Sequence, residues 1–425
     1  MLKNRPWVSS LLAALSAFCV YTCMYAFRKP FTAANFEGIR FLGIDYKIWL
    51  VISQTAGYTL SKFFGIKFIA ELNNNNRGYT IVKLVGIAWT ALLFFAIVPA
   101  PYNFIFLLIN GFPLGMVYGI VFNYLEGRRT TEFLGAVLSS SFIFASGFTQ
   151  SAGKFVLVKW GVSQWWMPWV TGLFFFVPLL VFTWLLEQTP LSAESDVRLR
   201  TQRKPMNKKE RFQFLKTFLP GLFMLVIVYI MLTIIRDYRS NFAANIWQES
   251  GHGNSISLFT KTELPASLLV LLVMSLLVFV RKNITALIIN HYLIVFGFLL
   301  SLAATLLYTY GQMSVFWWMT ITGVGLYMGY VPFNCMLFER LIAAFRYVST
   351  AGFIIYVADS FGYLGSDVIL VIKNFSHISI SYTDFFVKII LIVSLLGIIL
   401  TLISSTYFSR KHQRYFSVSS NLSYA

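Results

Sequence analysis

Eight ionisable side chains stand inside otherwise apolar stretches of this chain: Arg28, Lys29, Lys62, Arg236, Asp237, Arg239, Asp359 and Asp367. In hydrocarbon such a group is costly unless it faces protein or water, so each is a functional candidate by default. Two guanidinium groups drawn together from distant stretches would hold a tetrahedral or planar anion through charge-assisted, bidentate hydrogen bonds. Lys29 and Lys62 would add point charges, and Asp359 would either carry a proton in a coupling role or serve as the charge partner of a basic residue. The competing reading is that the arginines lie near an interface and reach outward to headgroups, or that Arg236 simply pairs with Asp237; Lys29 and Lys62 have the same outward option. Nothing in the spacing points to covalent chemistry. His252, His291, His377 and His412 are far apart and lack metal-ligand spacing, and neither a phosphate-binding glycine loop nor a Ser, His and Asp constellation occurs. No enzymatic activity, cofactor or metal is implied.

The elements that must position these groups follow from composition. A chain of 425 residues that is 57% hydrophobic, 18% aromatic and 12% charged is excluded from the ordinary water-soluble class, in which about 25% of residues are charged. The lipid bilayer is its solvent. A membrane-spanning helix takes about 20 mostly apolar residues, and the sequence offers runs at 8–35, 46–70, 79–99, 102–125, 132–157, 165–187, 213–247, 262–281, 285–308, 313–338, 346–371 and 383–408. The expected fold class is therefore an all-α integral membrane protein with twelve transmembrane helices. The first run is too long for a signal peptide and ends without a small-residue cleavage site, so it is expected to be retained. Cys19, Cys23 and Cys335 all lie in apolar stretches, which predicts packing residues rather than disulfides. The net charge of +18 is scattered between apolar runs, a pattern unlike that of a nucleic-acid-binding domain.

An even number of spans puts both termini on one side, and the distribution of cations says which. Lys3, Arg5, Lys67, Arg77, Arg128, Arg129, Arg281, Lys282, Arg340, Arg346, Arg410, Lys411 and Arg414 fall on one set of connections. The other set holds fewer, among them Arg40, Lys47, Lys159 and Lys261. Cytoplasmic termini are expected. Residues 188–212 form the long polar stretch, with Arg198, Arg200, Arg203, Lys204, Lys208, Lys209 and Arg211 near Pro190 and Pro205, which reads as a basic linker against anionic headgroups. It separates two six-helix bundles, 1–187 and 213–425, the second ending in a short tail. The halves look like repeats: Arg28, Phe31, Phe122 and Asn123 recur as Arg239, Phe242, Phe333 and Asn334 at one offset of 211.

On a continuous first helix Tyr21, Tyr25, Arg28, Thr32 and Asn35 form one polar and aromatic stripe, about 10 Å beyond the midplane at Arg28. On the seventh, Tyr229, Thr233, Arg236 and Ser240 form another, which favours Arg236, whereas the repeat offset favours Arg239. The sequence leaves both open. Gly111 and Gly115 have the small-xxx-small spacing of close helix approach, and Gly352, Gly362 and Gly365 read the same way.

Several short motifs then resemble the organophosphate:phosphate antiporter branch of the major facilitator superfamily. Tyr25-Ala-Phe-Arg28-Lys29-Pro-Phe31 is similar to that branch's first-helix pattern, Tyr58-Thr-Leu-Ser61-Lys62-Phe63 to its second, and Val228-Tyr229 followed by Arg236 to its seventh. Ala351-Gly352-Phe353 with Phe361-Gly362-Tyr363-Leu364-Gly365 resembles its eleventh. The resemblance implies two pseudo-symmetric bundles rocking about a central site, with Arg28 and Arg236 on the phosphate moiety and Lys29 and Lys62 as further cavity cations. It also implies a bacterial inner membrane location. The chain departs from the pattern where Ser140 to Ser146 lacks the fifth-helix histidine, and where Gly65 is followed by Ile69 instead of the acid expected after the second helix. The resulting expectation is a monomeric secondary transporter in the lipid bilayer, moving a small organic anion such as phosphate or a sugar phosphate by alternating access. Tyr25, Arg28, Lys29, Lys62 and Arg236 or Arg239 would bind the substrate. The alternative is a membrane-embedded sensor or scaffold that keeps this fold without turnover.

Overall fold

The computed structural model describes residues 6–71, 76–125, 131–189, 208–347, 351–375 and 380–422. Lys3, Arg5, Arg128, Arg129, His377 and the linker cations Arg198, Arg200, Arg203 and Lys204 lie outside them, as do the surroundings of Gly352.

Twelve long helices dominate, because in lipid a helix satisfies its backbone polar groups internally. In chain order they are α1 (Pro6–Tyr25), α2 (Tyr46–Glu71), α3 (Arg77–Ile97), α4 (Phe104–Leu125), α5 (Thr131–Lys159) and α6 (Met167–Glu187), followed by α7 (Lys208–Asn241), α8 (Leu258–Leu277), α9 (Asn283–Thr309), α10 (Val315–Cys335), α11 (Ala351–Phe375) and α12 (Tyr382–Leu422). Among the described residues nine of these are long and apolar enough to cross a membrane, and α10 makes ten when joined across a 49° bend to the short helix Leu337–Ala344. The long helices outside that set are α2, which carries Lys47 and Lys62, and α11, which carries Asp359 and Asp367. The face at which α1 begins is here called the near face.

α1 through α6 pack on one another, chiefly as α2 on α4, α3 on α4 and α1 on α5 and α6; α7 through α12 do likewise, with α7 on α11 and α12 and α9 on α10 and α12. The two lobes meet through α5 against α8 and α10, and α2 against α11. This is the architecture of a major facilitator fold. The internal repeat is visible in the elements: α4 starts at Phe104 and α10 at Val315, the same spacing of 211 as the sequence matches. Each lobe also follows its first helix with a short helical piece, Pro30–Ala33 and Ala243–Glu249, and these two pack together.

The predicted runs hold, with two corrections. The first does not continue to Asn35 as one helix. The chain tightens after Tyr25, with the N–H groups of Ala26, Phe27 and Arg28 each donating to the carbonyl three residues earlier, before Pro30 opens a 3-10 turn. Pro30 has no N–H to continue the ladder, so the helical stripe ends at Tyr25 and Arg28 projects from a turn. The second concerns Lys47, read as a loop cation: it lies at the start of α2 and is only 1% exposed.

Close approach explains the glycines. A Cβ on Gly111 would run into the Gln54 carbonyl oxygen of α2, and one on Gly115 would come within 2.5 Å of Ser61 Oγ, so glycine is what lets α4 lie against α2. Gly362 and Gly365 play the same part on α11, facing Thr233 and Ile230 of α7. The three cysteines are free thiols.

Candidate functional site

The turn after α1 would expose orphan carbonyls, and two buried amides accept that task. Gln54 of α2 donates to the Arg28 carbonyl at 2.9 Å, and Asn110 of α4 donates to the Phe27 carbonyl at 3.0 Å; Gln54 also donates to Asn110 Oδ1 at 2.8 Å. Three elements thereby fix the direction in which Arg28 leaves the backbone. Its guanidinium carbon lies 3.8 Å from the centroid of the Tyr58 ring and 5.7 Å from that of Tyr25. Stacking over a desolvated aromatic face stabilises a cation by about 2 kcal/mol. Among the described residues Arg28 has no carboxylate partner, and its buried Nε has no hydrogen-bond partner at all.

From the second lobe Arg236 approaches the same space along the α7 stripe. It donates to Asp237 Oδ1 through Nε at 3.0 Å and Nη2 at 2.8 Å, and to the Tyr330 hydroxyl of α10. The rings of Tyr330 and Tyr363 flank its guanidinium at 4.4 and 5.1 Å. Arg28, Lys29, Arg236 and Asp237 line one cavity between the lobes together with Tyr25, Phe142, Tyr327 and Tyr363, and Ser146 and Ser240 complete it. Three cations against one carboxylate give the lining a positive excess. The cavity measures about 20 Å³, enough to admit water.

Bonds between the lobes flank the cavity on both sides. On the far face Lys29 donates to Asn241 Oδ1 at 2.6 Å, and Lys47 donates to Asn245 Oδ1 at 2.7 Å. Gln150 of α5 reaches both Thr32 Oγ1 and the Ser240 carbonyl at 2.6 Å, and the Ser146 and Ser240 hydroxyls lie 2.8 Å apart. Toward the near face Lys62 of α2 meets Asp359 of α11 at 2.8 Å, and Asp359 also accepts from the Tyr229 hydroxyl at 2.6 Å. Tyr58 and Tyr363 cover that pair from the cavity side, their centroids 5.0 Å apart.

The structure therefore brings Tyr25, Arg28, Lys29 and Arg236 together and sets the other candidates apart. Arg239 points into the second lobe, where it donates to Glu263 of α8 and, through Nε and Nη2 at 3.2 and 2.9 Å, to the Met319 carbonyl of α10. Lys62 and Asp359 sit one layer nearer the terminal face as each other's partners, the second of the two roles open to Asp359. Glu263 and Lys47 escaped the sequence reading. Glu263 is an acid in the middle of the apolar run 262–281, and the same rule that singled out Asp359 applies to it. Lys47 adjoins Tyr46, the first residue of α2, and only the helix boundary distinguishes it from a loop residue. Among the described residues no His, Cys, Asp and Glu cluster could hold a metal ion.

Comparison with known proteins agrees with this architecture. The chain belongs to a family of unknown function (DUF5690), whose model matches residues 30–411. No curated protein matches it. Its structure is similar to that of a POT family transporter in complex with a thioalcohol-conjugated peptide, at 14% identity over 95% of this chain and 96% of that one, with a TM-score of 0.60. The xylose transporter XylE from E. coli, in a partially occluded inward-open conformation, gives 14% identity over 92% and 97%, with a TM-score of 0.59. A bacterial homolog of the human lysosomal transporter Spinster, inward-facing and unoccupied, gives 11% over 96% and 98%, with a TM-score of 0.57. At these identities the likeness establishes the fold alone.

Proposed function

We propose that the protein is a secondary transporter of a small organic anion, with phosphorylated compounds the first class to test, working by alternating access. Arg28 and Arg236, one from each lobe, would grip the anion, and Lys29 would add charge at its far side. The observation that carries this reading is Arg28: a buried guanidinium on a cavity wall, stacked on Tyr58, with an unpartnered Nε and no acid beside it. An unpaired cation in such a place is costly, and an anionic visitor lowers that cost. The bound anion would also screen Arg28 from Arg236 and so favour closure of the lobes.

The two sets of bonds between lobes supply the alternation. Parting Lys62 from Asp359 would open the cavity toward the near face, whereas parting the Lys29, Lys47 and Gln150 contacts would open it toward the far face. The excess of cations on the near-side connections supports cytoplasmic termini, in a bacterial inner membrane by the motif resemblance. That the named structural neighbours are transporters agrees with the proposal, and a site built wholly within one chain suits a monomer.

Counterflow into proteoliposomes, comparing inorganic phosphate, sugar phosphates and small carboxylates at fixed ionic strength, tests it. Uptake of at least one anion, lost in Arg28→Ala, is expected. Uptake that survives Arg28→Ala and Arg236→Ala unchanged, or the absence of any anion uptake by well-folded protein, would overturn it.

A further inference from the structure

We propose that the substrate of this site carries an ammonium group beside its anionic group, the anion meeting Arg28 and the ammonium meeting Asp237. The inference rests on the anion-transport reading and supplies the other half of the ligand. It begins with an asymmetry in the Arg236–Asp237 pair. An arginine and a carboxylate usually pair fork to fork, with one N–H on each oxygen. Here both N–H bonds, from Nε at 3.0 Å and Nη2 at 2.8 Å, converge on Oδ1. Oδ2 of Asp237 is buried and has no partner, like Nε of Arg28 on the same cavity. One wall therefore presents an unmet donor on a cation, and another presents an unmet acceptor on an anion. Buried polar atoms left in that condition are unfavourable, and a ligand that bears both charges satisfies both.

A hydroxyl would answer Oδ2 with a single hydrogen bond, whereas an ammonium would also meet the carboxylate's charge on the oxygen that Arg236 leaves open. None of the nearby cations donates to Oδ2: Arg236 bonds Oδ1 and Tyr330, Lys29 bonds Asn241, and Arg28 stacks on the Tyr58 face. Tyr25, Tyr327, Tyr363 and Phe142 line the same space and offer aromatic faces, which attract an ammonium and not an alcohol. With the lobes apart, an amino-bearing phosphate or carboxylate would span from Arg28 to Asp237, and closure would bury both ends.

Equilibrium binding to the purified full chain in detergent tests the idea, with phosphoethanolamine, glycerol 3-phosphate and propyl phosphate as probes and with β-alanine and propionate as the carboxylate counterpart. Phosphoethanolamine is expected to bind about 10-fold or more tightly than propyl phosphate, as a hydrogen bond to a charged group warrants, and Asp237→Asn is expected to bring that ratio close to one. Equal affinity for phosphoethanolamine and propyl phosphate in the unsubstituted protein overturns the ammonium inference and leaves the anion site standing. So does a preference for glycerol 3-phosphate over both, which would give Oδ2 to a hydroxyl. Failure of all five probes removes the anion reading and this inference with it. The ligand comparison in the unsubstituted protein decides the matter even if Asp237→Asn does not fold.

Discussion

Lys62 of α2 and Asp359 of α11 meet at 2.8 Å from opposite lobes, with side chains only 6% and 9% exposed. The pair lies on the near side of the cavity, whereas the far-side contacts join the Lys29 and Lys47 ammonium groups and the Gln150 amide to neutral acceptors. The two closures differ in kind. One buried charge pair has to separate for the near face to open, and a distributed polar seam has to separate for the far face.

Removing one member of the pair leaves a buried charge unmatched, so Asp359→Asn is expected to lower stability by about 3–5 kcal/mol. Lys62→Met combined with Asp359→Leu restores most of that loss. Thermal denaturation in detergent reads both. In the double variant, spin labels at Phe133 and Leu276, near the terminal-face ends of α5 and α8, should report a wider spread of distances than in the parent.

Arg28→Lys retains the charge and loses the planar fork and most of the stacking on Tyr58. The expected result is a loss of about 10-fold in anion affinity, against about 100-fold for Arg28→Ala, since hydrogen bonds to charged groups are worth about 1.5–3 kcal/mol. Titration calorimetry with whichever anion shows uptake would measure it. Equal affinities for the three proteins would show that Arg28 does not touch the ligand.

Arg239 offers the contrast. Its partners, Glu263 and the Met319 carbonyl, join α7 to α8 and α10 inside one lobe. Glu263→Gln is therefore expected to lower the denaturation midpoint sharply while the folded protein binds anion with its usual affinity. A loss of affinity with unchanged stability would move Arg239 into the site.

The α2 and α4 contact makes a steric prediction. Gly111→Val drives a side chain into the Gln54 carbonyl, and because Gln54 also holds the Arg28 turn, the damage reaches the cavity. Overpacking costs about 1–3 kcal/mol. Gly135→Ala, whose added carbon would meet its nearest neighbour, Phe122, at an ordinary 3.6 Å, is the matched control. Size-exclusion profiles and melting curves should separate the two.

Much of this was legible in the sequence, and the exceptions have physical causes. Apolar runs located the helices because hydrocarbon thickness sets their length, although α1 stops at Tyr25 instead of 35 and α12 runs on to Leu422 instead of 408, and the offset of 211 reappears in the starts of α4 and α10. The stripe through Tyr229, Arg236 and Ser240 picked the arginine that lines the cavity, since α7 is unbroken there. The repeat offset picked Arg239 instead, because equivalent positions in the two lobes keep their depth without keeping their partners: Glu263 stands opposite one of them alone. On α1 the stripe misled. Pro30 acts several residues ahead of itself, and the tightened turn changes the angle at which Arg28 leaves the chain. The far-side seam of Asn241, Asn245, Gln150 and Ser240 had no periodic mark, for single amides and hydroxyls in apolar helices look alike until their neighbours are known.

The cavity of about 20 Å³, with contacts between the lobes on either side of it, bears on more than cargo. Moving one elementary charge across a membrane held at 100 mV involves about 2.3 kcal/mol, so any continuous wet path through a carrier would short-circuit the voltage its host maintains. In this conformation the Lys62–Asp359 pair on one side and the Lys29–Asn241 contact on the other stand across that path, so the same contacts that would time the passage of cargo would also guard the voltage.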